Sequence, residues 1–274
     1  MINPKSELAR RFWEEGRLDD CPIYDFHGHM HENDGCFMAA PEPEQMLRTL
    51  KAANVKSFIF SSHLALHSAE IREDANLPVV RKFGNPFHCY HGVQSFAVNP
   101  QRDIAEVEAA PDVYVGFKFL CDYFEVALED PRHAPYWEYL NEKKLLALLH
   151  TWGGSRYNGA DNVRAVAEKY PDVTIILGHS IHSHWDKAIK LAQDFPNIYL
   201  ELTAVLDDDR GILERFANEV GSDRILFGTD LPWFSTHHAI GCILSAEMTD
   251  EDRHNIFHRN GERILARFPW AKDL

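Results

Sequence analysis

The 274-residue sequence contains no Cys-x-x-Cys pair. Its five cysteines, Cys21, Cys36, Cys89, Cys121 and Cys242, are scattered and odd in number. That spacing argues against a disulfide framework or a structural zinc knuckle, and points to a reducing, cytoplasmic setting. No apolar run approaches the length of a membrane span. The first twenty residues are charged and lack the apolar core of a signal peptide. They read as a leading helix with Leu8, Phe12 and Trp13 on one side. Lysine and arginine are few, 28 against 42 acidic residues, for a formal net charge of −14. With no basic cluster or stripe, a nucleic-acid partner is not expected, and most of the acidity reads as solvated surface. A Gly-rich first turn is also missing, which counts against a doubly wound nucleotide-binding sheet.

What is present is a regular alternation of short apolar runs and helical patterns, with no linker or shift in composition. The first run, Pro22 to His29, ends in His27-Gly28-His29. A loop from His31 to Pro43 and a helix from Glu42 to Ala53 follow. The spacing then predicts strands at Val55–Ser61, Tyr90–Val98, Tyr114–Phe119, Leu145–His150, Val173–His179, Ile198–Glu201 and Arg224–Asp230. Helices are expected at Ala69–Phe83 (weakened by Pro78), Arg102–Ala109, Tyr136–Lys143, Asp161–Tyr170, after the sixth strand as far as Phe195, and at Arg210–Val220. The stretch Asp122–Pro135 is long for a βα connection and reads as a lid or specificity loop. Eight such units in one domain of this length predict an α/β (β/α)8 TIM barrel spanning residues 1–274, with a leading helix in 1–20 and a closing helix in 249–274.

In such a barrel the C-terminal strand ends converge on one face, where active sites lie. The residues that fall there are His27, His29, Lys118, His150, His179, Glu201 and Asp230. Side chains two apart on a strand share a face, so His27 and His29 present two imidazoles to one point, an arrangement suited to a divalent metal. Taken singly, each residue has a plainer explanation. His150 and His179 can be hydrogen-bonded core histidines, and Asp230 can cap a helix. Glu201 reads as a structural carboxylate bonded to backbone or to Lys118. Among the sixteen histidines, His63, His67, His182, His184, His237 and His238 lie in loops facing the site and read as supporting residues. His88, His91, His133, His254 and His258 read as structural. Trp152, Arg156, Tyr157 and Trp233 follow strands five and eight and are the expected pocket wall, Arg156 as a carboxylate-holding fork.

The ordered set of His-x-His, Gly116-Phe117-Lys118, strand-end His150, Leu177-Gly178-His179 and Gly228-Thr229-Asp230 resembles the amidohydrolase superfamily. Its closest likeness is the amidohydrolase-related branch of hydrolases, lactonases and decarboxylases, and His258 to Leu265 is similar to that branch's closing helix. The resemblance implies a metal held by His27, His29 and Asp230, with His150 as a further ligand. Zinc or manganese suits these donors. It implies Asp230 as the acid–base group and His179 as the residue that orients water or polarises the substrate oxygen. A fourth-strand lysine is carboxylated in binuclear members, so Lys118 and His179 would join a second ion if there are two; one ion is favoured.

The expected activity is attack of metal-activated water on a carbonyl carbon of a small-molecule lactone, amide or ester-like substrate. The alternative is a decarboxylase or hydratase acting on an aromatic-derived or unsaturated acid. A barrel that binds metal without catalysis is disfavoured by the intact strand-end residues, and a nuclease or phosphoesterase by the missing basic channel. A homo-oligomer is expected by analogy only.

Overall fold

The computed structural model describes residues 5–33, 37–67, 75–95, 97–208 and 211–274. Cys36, Arg210 and the first part of the predicted Ala69–Phe83 helix lie outside the described residues. Eight strands form one sheet in chain order: β1 (Ile23–Met30), β2 (Val55–Ser62), β3 (Phe87–Val93), β4 (Tyr114–Phe119), β5 (Leu146–Trp152), β6 (Thr174–His182), β7 (Ile198–Glu201) and β8 (Ile225–Leu226). Every neighbouring pair is parallel. The circuit closes through backbone hydrogen bonds between β1 and the segment after β8. Phe26 N–H donates to Phe227 O at 3.0 Å, Asp230 N–H to His27 O at 2.7 Å and His29 N–H to Leu231 O at 2.7 Å. The (β/α)8 barrel is therefore the observed architecture. No helix among the described residues is long and apolar enough to cross a membrane.

The strands form where the sequence is apolar on both faces, as a parallel sheet covered by helices requires. One face of the sheet packs under the helices, with Phe58, Phe60, Phe117, Leu149 and Leu177 in a single large cluster. A second cluster joins Phe26, Ile59, Tyr90, Val115, Leu148, Ile176 and Leu226 from across the strands to Ile264, Leu265 and Phe268 of the closing segment. That segment thus plugs the end of the barrel opposite the strand termini.

Several boundaries differ from the sequence expectation, each for a physical reason. β3 begins at Phe87 because Phe87–Cys89 pair with Phe58–Phe60. It stops at Val93, the last residue paired with β4 through Phe119, and just beyond it the Gln94 side chain donates to Ala65 O at 2.6 Å. Pro78 lies in the first turn of the helix Leu77–Phe83, where its missing N–H costs nothing, so it starts the helix instead of weakening it. β8 is short because residues 227–231 bond to β1. The predicted loop Asp122–Pro135 holds a short helix, Cys121–Phe124, and a 3-10 turn, Pro131–His133. Its centre is pinned: Leu128 is fully buried and accepts from Trp137 Nε1 at 2.9 Å.

Candidate metal centre

β1 delivers His27 and His29 to one point, as period-two alternation requires. His29 Nε2 lies 3.0 Å and His27 Nε2 3.4 Å from Asp230 Oδ1. Asp230 reaches that point through a left-handed backbone, φ +56°. His179, Ser180 and Ile181 are also left-handed, at +66°, +47° and +52°. Such a run costs energy for side chains with a Cβ and persists only where the surroundings impose it. Here they do. Ser180 Oγ donates to Glu201 O at 2.8 Å, and Ile181 N–H donates to Thr151 Oγ1 at 2.9 Å.

The second nitrogen of each imidazole is committed. His29 Nδ1 faces Ser61 O at 3.0 Å, and a carbonyl only accepts, so Nδ1 carries the proton. His27 Nδ1 faces Glu201 Oε2 at 2.9 Å, and His179 Nδ1 faces Thr203 O at 3.2 Å. In the neutral rings Nε2 then holds the lone pair. Burial, and then the charge of Lys118, hold His27 well below the usual imidazole range, and burial pushes His179 down to about 4. The Nε2 atoms of His27 and His29 both face Asp230 Oδ1, a buried atom with no hydrogen-bond partner among the described residues. Donor separations of about 2.9 to 3.4 Å follow from metal–ligand bonds of about 2.0–2.1 Å, so the residues fit a divalent metal. Ligand atoms of His27, His29 and Asp230 lie within 4.8 Å of one another.

Glu201 is fully buried and all its directions are used. Oε2 accepts from His27 Nδ1 and from His179 N–H at 3.1 Å. Oε1 accepts from Thr203 N–H at 2.7 Å and Thr203 Oγ1 at 2.5 Å. Burial raises its pKa. It bonds a site histidine as well as backbone, and not Lys118. Lys118 is also fully buried, and its Nζ lies 2.6 Å from His27 Nε2, on the lone pair that a metal would use. Burial lowers its pKa to about 8, with Asp230 and Glu201 acting the other way.

His150 stands beside this group. Its Nδ1 is 3.1 Å from His179 Nε2, which leaves the lone pair on its own Nε2 if Nδ1 donates. Aromatic rings continue around the mouth. Trp152 lies 5.9 Å from His150 and 5.6 Å from His179, and stacks on His182 at 3.9 Å. Across the mouth His63 stacks on His29 at 4.6 Å and accepts from Trp233 Nε1 at 3.0 Å. Tyr123 bridges the two sides, 5.7 Å from His150 and 5.2 Å from His67. The structure does not bring every expected wall residue here. Tyr157 packs against the core beneath the helices, and Arg156 is exposed with no side-chain bond seen among the described residues. Of the loop histidines, His237 packs toward Phe12, and His238 toward Cys242.

Sequence reasoning missed Asp25, Thr203 and Tyr123. Asp25 is fully buried and ties the two ends of the ligand set together. It accepts from His27 N–H at 3.1 Å and from Thr229 Oγ1 at 2.6 Å. The available signal was a carboxylate inside an apolar strand. Thr203 carries none, and Tyr123 was marked only by the length of its loop.

The family model described as amidohydrolase matches residues 24–267, so the chain belongs to the amidohydrolase family, metal-dependent enzymes on this barrel. No curated protein matches it. Among solved structures it is similar to a 2,6-dihydroxybenzoate decarboxylase complexed with 2,6-dihydroxybenzoate, with 15% identity, TM-score 0.72, and 91% of this chain and 99% of that one covered. A dihydroxybenzoic acid decarboxylase from a Polaromonas species, with bound manganese and 2-nitroresorcinol, is 16% identical with TM-score 0.70 over 91% and 97% of the two chains. The 4-oxalomesaconate hydratase of Rhodopseudomonas palustris is 18% identical with TM-score 0.67 over 92% and 98%. At these identities the likeness is one of fold.

Proposed function

We propose that this chain is a metal-dependent hydrolase in which water attacks a carbonyl carbon of a small-molecule lactone, amide or ester-like substrate. The observation that carries this reading is the convergence of His27 Nε2, His29 Nε2 and Asp230 Oδ1, with both imidazole protons committed elsewhere. His27, His29 and Asp230, with His150 beside them, would hold zinc or manganese, and a bound metal supplies a Lewis acid that brings the pKa of water toward neutrality. Asp230 takes the proton of the attacking water and returns it to the leaving group, a role worth about 10²- to 10⁴-fold. With its Nδ1 donating to Thr203 O, neutral His179 accepts at Nε2, from His150 Nδ1 or from a water that it orients, whereas polarising the substrate oxygen would require a proton on Nε2. Glu201 and Asp25 hold the rings and the backbone in place. One ion is favoured over two, because His27, His29 and Asp230 converge on one point without Lys118 or His179.

A second reading, decarboxylation or hydration of an aromatic-derived or unsaturated acid, has its own support. Trp152, Tyr123, His63 and Trp233 line the mouth with flat rings suited to stacking a planar substrate. Decarboxylases and a hydratase are among the similar folds. Assaying a panel of lactones and hydroxybenzoic acids for acid release against CO₂ release separates the two. Under either reading Asp230→Asn and His29→Ala lose metal and turnover together. Full turnover in metal-stripped protein overturns both.

A further inference from the structure

A separate group of metal-ligating side chains lies at the other end of the barrel. Cys21 sits in the turn that leads into β1, and His254 and His258 sit on the closing segment. One ligand atom from each lies within 4.8 Å of the other two. Cys21 is fully buried, while the two imidazoles are half-buried and open the cluster to solvent. His258 belongs to a π-helical turn, Asn255–Arg259, inserted between the helices Asp250–His254 and Asn260–Leu265. Such turns are rare and concentrate at functional sites. His258 is also oriented as ligating histidines are. Its Nδ1 faces Glu262 Oε1 at 2.8 Å, which leaves the Nε2 lone pair turned toward His254 Nδ1 at 3.0 Å.

We propose that Cys21, His254 and His258 form a second metal site, taking a zinc-like divalent cation through one thiolate and two imidazoles, with water in the fourth position. Tetrahedral bonds of about 2.0–2.3 Å place such donors about 3.3 to 3.6 Å apart; His254 Nδ1 and His258 Nε2 stand 3.0 Å apart, and Cys21 completes the group within 4.8 Å. Binding releases the thiol proton to solvent. His254 shifts its ring proton from Nδ1 to Nε2, which frees Nδ1 for the metal. The site ties the turn into β1 to the closing segment. Ser6 Oγ already makes a parallel tie there, donating to Asp250 Oδ1 at 2.5 Å. Its role is structural, and it stands apart from the strand-end residues whatever reaction they perform.

Cobalt(II) titration of the metal-stripped full-length chain tests it. The strand-end ligands named above are nitrogen and oxygen donors, so a thiolate-to-cobalt charge-transfer band that disappears in Cys21→Ser reports this site. The wild-type chain is expected to show that band and to bind one cobalt equivalent more than Cys21→Ser or His258→Gln. Both variants lose the band, and Cys242→Ser keeps it. Asp230→Asn keeps it too, which separates failure here from failure of the strand-end site. Absence of the band in the folded wild-type chain, its survival in Cys21→Ser, or its loss in Cys242→Ser overturns the proposal. If Cys21→Ser does not fold, the wild-type spectrum and His258→Gln still decide.

Discussion

Replacing Glu201 with glutamine changes one atom's hydrogen-bonding sense at the centre of the site. The wild-type carboxylate accepts four hydrogens, two from Thr203, one from His27 Nδ1 and one from His179 N–H. A glutamine oxygen can keep the Thr203 pair, and its NH₂ must then face His27 and His179. Toward His27 the amide donates, so Nδ1 must accept and the ring proton moves to Nε2. The lone pair aimed at Asp230 is thereby removed without displacing a heavy atom. Toward His179 two donors meet, and an orphaned buried N–H costs about 1–3 kcal/mol. Loss of a carboxylate that orients a ligand typically weakens metal binding by about 10- to 100-fold. Glu201→Gln is therefore expected to fold, to lose about 1–3 kcal/mol in urea denaturation, and to weaken metal affinity by one to two orders of magnitude in a competitive chelator titration. A variant with metal affinity within about twofold of wild type would refute the tautomer reasoning, even if stability fell.

Three further outcomes follow from the same geometry. A Cβ at Gly228 would land on Glu201 Oε1 and press against His27 Cβ at 2.9 Å, so Gly228→Ala should lose about 1–3 kcal/mol and weaken metal binding; unchanged denaturation midpoints would contradict it. His88, stacked on Trp270 at 3.4 Å, is pushed down to about 4 by burial. Between pH ~6.5 and ~4 the unfolded chain takes a proton that the folded chain refuses, so stability falls with falling pH by about 1.4 kcal/mol per unit for this group. His88→Phe should reduce that slope by one proton, and urea midpoints across the range check it. Lys118→Met removes the ammonium that competes for the His27 Nε2 lone pair, and should tighten metal binding about tenfold, the worth of one charge-assisted hydrogen bond. A fall in affinity instead would identify Lys118 as a ligand group.

The strand ends were legible because two rules suffice to place them. Apolar runs mark strands buried on both faces, and parallel strands in a barrel end together. His27, His29, Lys118, His150, His179, Glu201 and Asp230 could be gathered from those rules without coordinates. Their hydrogen-bonding roles could not. Glu201 acts through His27, 174 positions away in the chain, and Asp25 through Thr229, 204 positions away. Neither pairing leaves a local pattern. Trp152 ends β5 and stays at the mouth, whereas Tyr157, five residues on, packs partly buried against the core in a loop whose backbone accepts from Leu128 N–H at 2.9 Å, a long-range tie with no local pattern.

By itself, then, the sequence determined the barrel, the face that carries the chemistry and the residue types gathered there, since all three follow from periodicity and burial. Only the tertiary structure decided which imidazole nitrogen keeps its lone pair, because that depends on which carbonyl or carboxylate a neighbouring strand sets behind each ring. The tertiary structure alone also brought Cys21 to His254 and His258, since the closing segment packs back onto the turn where the first strand begins.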